Sequence, residues 1–158
     1  MKELMDKARA AMAMAYAPYS GFRVGAAVRC ADGTVYTGCN IENASYGATN
    51  CAERTAIFTA VAAGHRSFTA IAICGGHGGV VEDYCMPCGI CRQVLSEFCP
   101  PDTHIHIAGP DGIRTYTLQQ LLPGQFQLTA PSSEGAEGEV PLMSGPRGRV
   151  GKRKESTG

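Results

Sequence analysis

Apolar residues recur at Leu4, Met5, Ala8, Ala11, Met12 and Ala15, a helical spacing that predicts an amphipathic first helix ending before Pro18. "FRVGAAVRC" (Phe22 to Cys30) is apolar enough for a buried strand, and "VYTGCNI" (Val35 to Ile41) follows an Asp32-Gly33 turn, so the two predict a hairpin. "CAERTAIFTAVAAG" is Ala-rich, lacks internal Gly and Pro, and stops at Gly64, which predicts a second helix. "FTAIAICGG" (Phe68 to Gly76) predicts another buried strand, followed by the Gly-rich loop "HGGVVEDYCMP". "CGICRQVLSEFC" has helical periodicity at Ile90, Val94, Leu95 and Phe98 and ends at Pro100-Pro101. "THIHIAG" alternates as a strand, "PDG" is a turn, "IRTYTL" is the antiparallel partner, and "LQQLLP" allows a last short helical turn. The order α-ββ-α-β-α-ββ predicts helices packed on a mixed sheet.

Hydrophobic periodicity stops near Ala130, and Gly, Pro, Ser, Glu and Arg take over. "GPRGRVGKRKESTG" is basic and cannot bury enough surface to offset the entropy of ordering. Residues 1–129 are therefore read as one domain and 130–158 as a disordered Gly/Pro-rich basic tail.

Charge narrows the function. Lys plus Arg (14) balances Asp plus Glu (14), which gives no footprint for nucleic acid. No apolar run is long enough to span a membrane. Lys2, Glu3, Asp6, Lys7 and Arg9 interrupt the first segment too closely for a signal peptide, so a cytoplasmic location is expected. Thiols stay reduced there, and the eight cysteines are read as ligands or core packers rather than disulfides.

Two predicted helix starts bring candidate chemistry together: "CAE" (Cys51 to Glu53) and "PCGIC" (Pro87 to Cys91). Positions i and i+3 share a helix face, so Cys88 and Cys91 can grip one ion, and Cys51 can add a third thiolate. Helix N-termini stabilise negative sulfur, and soft thiolates at this spacing select zinc, one ion per chain. For a fourth ligand Cys85, His77, Cys74 and Cys99 remain candidates, although Cys85 stands very close to Cys88 across Pro87. With only three ligands, the fourth position belongs to water and the site is catalytic. Glu53 favours that reading, because a carboxylate beside the metal can move a proton from water to a substrate nitrogen. Zinc deaminases combine H/C-x-E with a later P-C-x-x-C, and both halves occur here in that order. Three thiolates leave a negative charge on the centre, and Arg54 is the candidate to offset it by donating to the sulfurs.

At this point the sequence resembles the small homotetrameric zinc-dependent cytidine deaminases. The likeness runs from "AYAPYSGFRVGAAV" through "GCNIENASYGATNCAERTA" and "PCGICRQVLSEF" to "LLPGQF", roughly Met1 to Leu128. The resemblance implies a three-layer fold, a mixed five-stranded sheet with helices on both faces and an antiparallel last strand pair. It implies deamination of free cytidine and deoxycytidine to uridine and deoxyuridine in pyrimidine salvage, with Glu53 as proton shuttle. Phe22 would pack near the nucleoside, Asn40 and Glu42 would bond the ribose 3′-hydroxyl, and Ala52 with Glu53 would read the pyrimidine edge. Tyr46 and Phe126 would reach a neighbouring subunit's site. The chain departs from the family pattern in its long "GGHGGVVEDYCM" loop with Cys85, in Ala48 and Thr49, and in the basic tail. The rivals are a nucleic-acid editing deaminase, a deaminase of a cytosine nucleoside antibiotic, and a non-catalytic zinc-stabilised interaction module. The tight turn before "IRTYTL" and the charge balance speak against the first, and "NIEN" favours an ordinary ribose over the second.

Overall fold

The first helix forms on the predicted stripe but stops at Met12, short of Ala15: α1 (Lys2–Met12) buries Leu4, Met5, Ala8, Ala11 and Met12. The computed structural model describes residues 1–128. Residues 1–127 make one compact unit; of the second, Leu128–Gly158, only Leu128 is described, so the expected disordered tail over 130–158 lies outside the described residues.

After α1 the chain runs through β1 (Phe22–Cys30), β2 (Val35–Cys39), α2 (Ala52–Ala62), β3 (Phe68–His77), α3 (Gly89–Phe98), β4 (His104–Gly109), β5 (Gly112–Thr117) and α4 (Leu118–Leu121). The five strands make one sheet in the order β2-β1-β3-β4-β5. β3 and β4 are parallel, with Ile71 opposite Ile105, and α3 fills the crossover between them. The other neighbours are antiparallel, including the final β4–β5 pair that the tight turn predicts.

Alternation along the strands divides the core between two faces. Val24, Ala26, Val28, Ile71, Ile73, Ile105 and Ile107 pack with Ala56, Ile57 and Ala60 of α2 and Leu95 of α3. Ala27, Ala72, Cys74 and Ala108 point to the opposite face and meet α1. Helices thus cover both sides of the mixed sheet, as expected. Each buried Ile or Leu contributes about 1.5–3 kcal/mol, so the first face supplies most of the apolar driving force. The α1 face uses small side chains instead, and holds its helix by close approach. A Cβ on Gly25 would run into the Ala8 carbonyl and the Met12 backbone.

The same device seats α2. A Cβ on Gly38 would clash with the Ala56 amide nitrogen and stand 2.6 Å from the Ala52 carbonyl oxygen. The first turns of α2 therefore lie directly on β2, which fixes where Cys51 and Glu53 sit.

Further details differ from the sequence reading, beyond the early end of α1 and a short 3-10 helix (Tyr46–Ala48) in the predicted loop. β2 ends at Cys39 rather than Ile41: the Asn40 amide still donates to the Val24 carbonyl at 3.2 Å, but Ile41 turns aside to pair with Asn50, and the Asn40 side chain adds bonds to β1. Its Oδ1 accepts from the Val24 amide at 2.8 Å and its Nδ2 donates to the Phe22 carbonyl at 2.9 Å. In α3, Ile90 is 61 % exposed instead of joining the apolar stripe. Adjacent helical residues point about 100° apart, and Cys91 takes the inward direction. No helix among the described residues is long and apolar enough to cross a membrane.

Candidate metal centre and nucleoside cavity

Cys51 and Cys88 each occupy the residue just before a helix, α2 and α3 respectively, with extended backbone. Cys91 lies in the first turn of α3 and is fully buried. The Cys51 and Cys88 sulfurs are 3.8 Å apart, those of Cys88 and Cys91 3.5 Å, and all three lie within 4.8 Å of one another. Sulfurs bound tetrahedrally to one zinc at about 2.3 Å stand about 3.8 Å apart. The three thiols therefore fit a shared zinc ion in both spacing and donor type.

The sequence leaves a fourth protein ligand open. Among the described residues, no fourth Cys, His, Asp or Glu donor joins the three. Cys74 faces α1 on the other side of the sheet, against Met12 and the Gly25 carbonyl. Cys99 lies at the far end of α3, and His77 is engaged by Glu82 at 2.9 Å. Cys85 reaches the cavity beside the cluster, and burial pushes its thiol up to about 12, but its sulfur does not lie with the three that cluster.

Electrostatics distinguish the three sulfurs. A hydrogen bond with Cys91, followed by one from Arg54, brings Cys51 down to about 5. The same bond with Cys51, together with burial, pushes Cys91 up. One negative sulfur is thus easily carried and a second is opposed by the first. A divalent cation removes that conflict. The Arg54 guanidinium stands 3.5 Å from the Cys51 sulfur and donates to the Thr49 carbonyl at 3.3 Å. It lies where the sequence reading places a compensating charge.

Glu53 is 4 % exposed, and its burial raises the carboxyl to about 7. It lines a cavity of about 160 Å³ with Ala52, Cys51, Cys88, Asn40, Glu42, Cys85 and Met86. Glu42 accepts from the Tyr19 amide at 2.8 Å and the Ser20 amide at 3.2 Å, and from the Ser20 hydroxyl. The Ser20 hydroxyl first, and then these amides, hold its carboxyl below the usual range. Glu42 and Thr49 also border an outer hollow of about 360 Å³, lined by Tyr19, Ser20, Asn43 and Tyr46.

Not every predicted residue reaches the inner cavity. Phe22 packs edge-on against His77, with ring centroids 5.1 Å apart, and a Cβ on Gly75 would meet both Phe22 and Cys85. Tyr46 is 79 % exposed beside Tyr19, and Phe126 is 65 % exposed, its carbonyl accepting from Gln93 at 2.9 Å. Neither lines the inner cavity, although Tyr46 borders the outer hollow.

Arg92 is absent from the sequence reading. Its Nε donates to the Pro87 carbonyl at 2.7 Å and its Nη1 to the Leu121 carbonyl at 2.9 Å, which ties the residue before Cys88 to α4. Its position one turn after Cys88 was the available signal. Thr55 has a similar role on α2: its hydroxyl donates to the Cys51 carbonyl at 3.2 Å and accepts from Asn50 at 3.0 Å.

Two helix N-termini presenting thiols to one point, with a buried carboxyl alongside, is the arrangement used by zinc-dependent deaminases. Residues 1–107 match the cytidine and deoxycytidylate deaminase zinc-binding region, and the chain belongs to this family. A cytidine deaminase of Sporosarcina psychrophila is 47 % identical over 127 residues, covering 80 % of this chain and 90 % of that protein. A cytidine deaminase of Halalkalibacterium halodurans is 49 % identical over 124 residues, 78 % of this chain and 91 % of its own. Among solved structures, the cytidine deaminase of Burkholderia pseudomallei superposes with a TM-score of 0.73 at 46 % identity, covering 79 % of this chain and 98 % of that one.

If Arg92 positions the Cys88 turn, Arg92→Ala should weaken zinc binding about 10-fold or more without unfolding the chain. Competition with a chromophoric chelator measures this, and unchanged affinity would reduce Arg92 to a packing residue.

Proposed function

We infer that the chain catalyses the hydrolytic deamination of cytidine and deoxycytidine to uridine and deoxyuridine, releasing ammonia, with zinc held by Cys51, Cys88 and Cys91. The observation that carries this reading is the convergence of three sulfurs beside buried Glu53, in a chain 47 % identical to a cytidine deaminase. When bound, zinc supplies Lewis-acid activation of water. The chain's own residues supply the rest. Glu53 accepts a proton from the attacking water and delivers it to N3, which makes C4 electrophilic. As the new C–O bond forms and the C4–N bond breaks, Glu53 carries the second proton to the departing amino group. It ends as it began. Ala52, at the start of α2, and Glu53 orient the pyrimidine edge. Asn40 retains one amide hydrogen beyond its bond to Phe22, and with Glu42 it faces the ribose 3′-hydroxyl. Phe22 supports that wall from behind, and Arg54 offsets the thiolate charge through Cys51.

Glu53→Gln removes proton transfer while nearly preserving shape. Turnover should fall by on the order of 10²–10⁴ with zinc content and melting unchanged. Near-normal turnover in the zinc-loaded variant would remove Glu53 from the mechanism.

The assembly proposed is a homotetramer of the domain formed by residues 1–129, acting in the cytoplasm on free nucleosides in pyrimidine salvage, without nucleic acid or membrane. Ligand pockets usually enclose about 300–1,000 Å³. The inner cavity, at about 160 Å³, falls short of that range. Walls contributed by Tyr46 and Phe126 of neighbouring copies would complete it, and closed symmetry gives each site the same supplement. Phe126→Ala should therefore raise KM or loosen the tetramer in sedimentation. A fully active monomer, or a variant with both properties unchanged, would sink this proposal.

A further inference from the structure

A second group of metal-type donors lies at the other end of α2. Cys30 closes β1, Asp32 stands in the β1–β2 turn, and His65 follows the C-terminus of α2. Their donor atoms all lie within 4.8 Å of one another. We propose that Cys30, Asp32 and His65 form a second metal site, for a divalent cation of the zinc class, separate from the three-thiol centre.

The spacing carries this proposal. His65 Nδ1 and Asp32 Oδ2 are 3.6 Å apart, which is too far for a hydrogen bond. Nitrogen and oxygen ligands around one tetrahedral zinc stand about 3.4 Å apart, given bonds of about 2.0–2.2 Å. The pair therefore has the separation of two ligands on one ion. The third donor is a sulfur on a residue only 1 % exposed, within 4.8 Å of both. His65 and Asp32 are more open, with side chains 25 % and 55 % exposed, so an ion has an entry path and water can complete its shell.

Each donor is held by contacts unrelated to the others' ligating atoms. The Cys30 amide donates to the Thr34 carbonyl at 2.8 Å, and the Cys30 carbonyl accepts from Gly33 at 3.0 Å. Asp32 uses its other oxygen, Oδ1, to accept from the Thr34 amide at 2.9 Å, which leaves Oδ2 available. The His65 amide donates to the Ala60 carbonyl at 3.0 Å, and the Tyr36 ring lies against the imidazole with centroids 5.2 Å apart. A thiol, an imidazole and a carboxylate favour zinc-class ions over calcium or magnesium, which prefer all-oxygen shells. Occupancy would pin the end of α2 to the hairpin while its start holds Cys51.

The proposal does not depend on the deaminase reading, and its test is a difference in metal content. The full chain, His65→Ala and Cys30→Ser are dialysed to equilibrium against micromolar buffered zinc, and zinc per chain is measured by mass spectrometry. The unsubstituted chain should hold one zinc ion more than either variant. Equal zinc in the unsubstituted chain and His65→Ala, with matching circular-dichroism melts, would overturn the site. His65 lies at the surface, so that arm decides the outcome even if replacing buried Cys30 prevents folding.

Discussion

Two helix N-termini aimed at one spot create a concentrated positive potential there, from dipole ends and amides without helical partners. Negative sulfur is favoured at such a spot, but three thiolates within a few ångströms repel one another. Beside that repulsion, the hydrogen bond that Cys51 and Cys91 share lowers the Cys51 thiol and, with burial, raises that of Cys91. A divalent cation resolves the repulsion, and the remaining features of the site follow from that need. The Arg54 guanidinium sits 3.5 Å from the Cys51 sulfur. Glu53 is buried beside the cluster, where a carboxyl can exchange protons near neutral pH.

The fold serves this convergence by allowing no freedom in either helix start. Gly38 lets α2 rest on β2 at backbone distance, and Thr55 fastens the Cys51 carbonyl. On the other side, Arg92 clamps the Pro87 carbonyl to α4, so the Cys88 turn is held from both ends. Tyr84 anchors the preceding loop, lying against Gly109 and under the Arg114 guanidinium at 3.7 Å. That loop delivers Cys85 and Met86 to the cavity.

Much of this was legible in the sequence because it depends on local pattern. Among the described residues, periodicity located the five strands and α1 to α4, though α1 stops at Met12 and the short 3-10 helix Tyr46–Ala48 lies in what reads as loop, and the C-x-E and P-C-x-x-C spacings marked the sulfurs that the structure brings together. The failures came from tertiary demands. β2 ends early because Ile41 pairs with Asn50 from the far end of the loop, which no propensity records. Ile90 turns outward because Cys91 has a stronger claim on the inward direction. Arg92 escaped notice because its partners, Pro87 and Leu121, are joined only by folding. The cluster of Cys30, Asp32 and His65 spans two elements and has no compact motif.

The most direct measurement is the loss of ultraviolet absorbance by cytidine, followed with the purified full chain, with the chain stripped by chelator, and after zinc is restored. The account predicts steady conversion to uridine, its disappearance on stripping while the fold remains, and its recovery with zinc. Turnover that persists in metal-free protein, or a zinc-replete and folded chain that leaves cytidine unchanged, would contradict it.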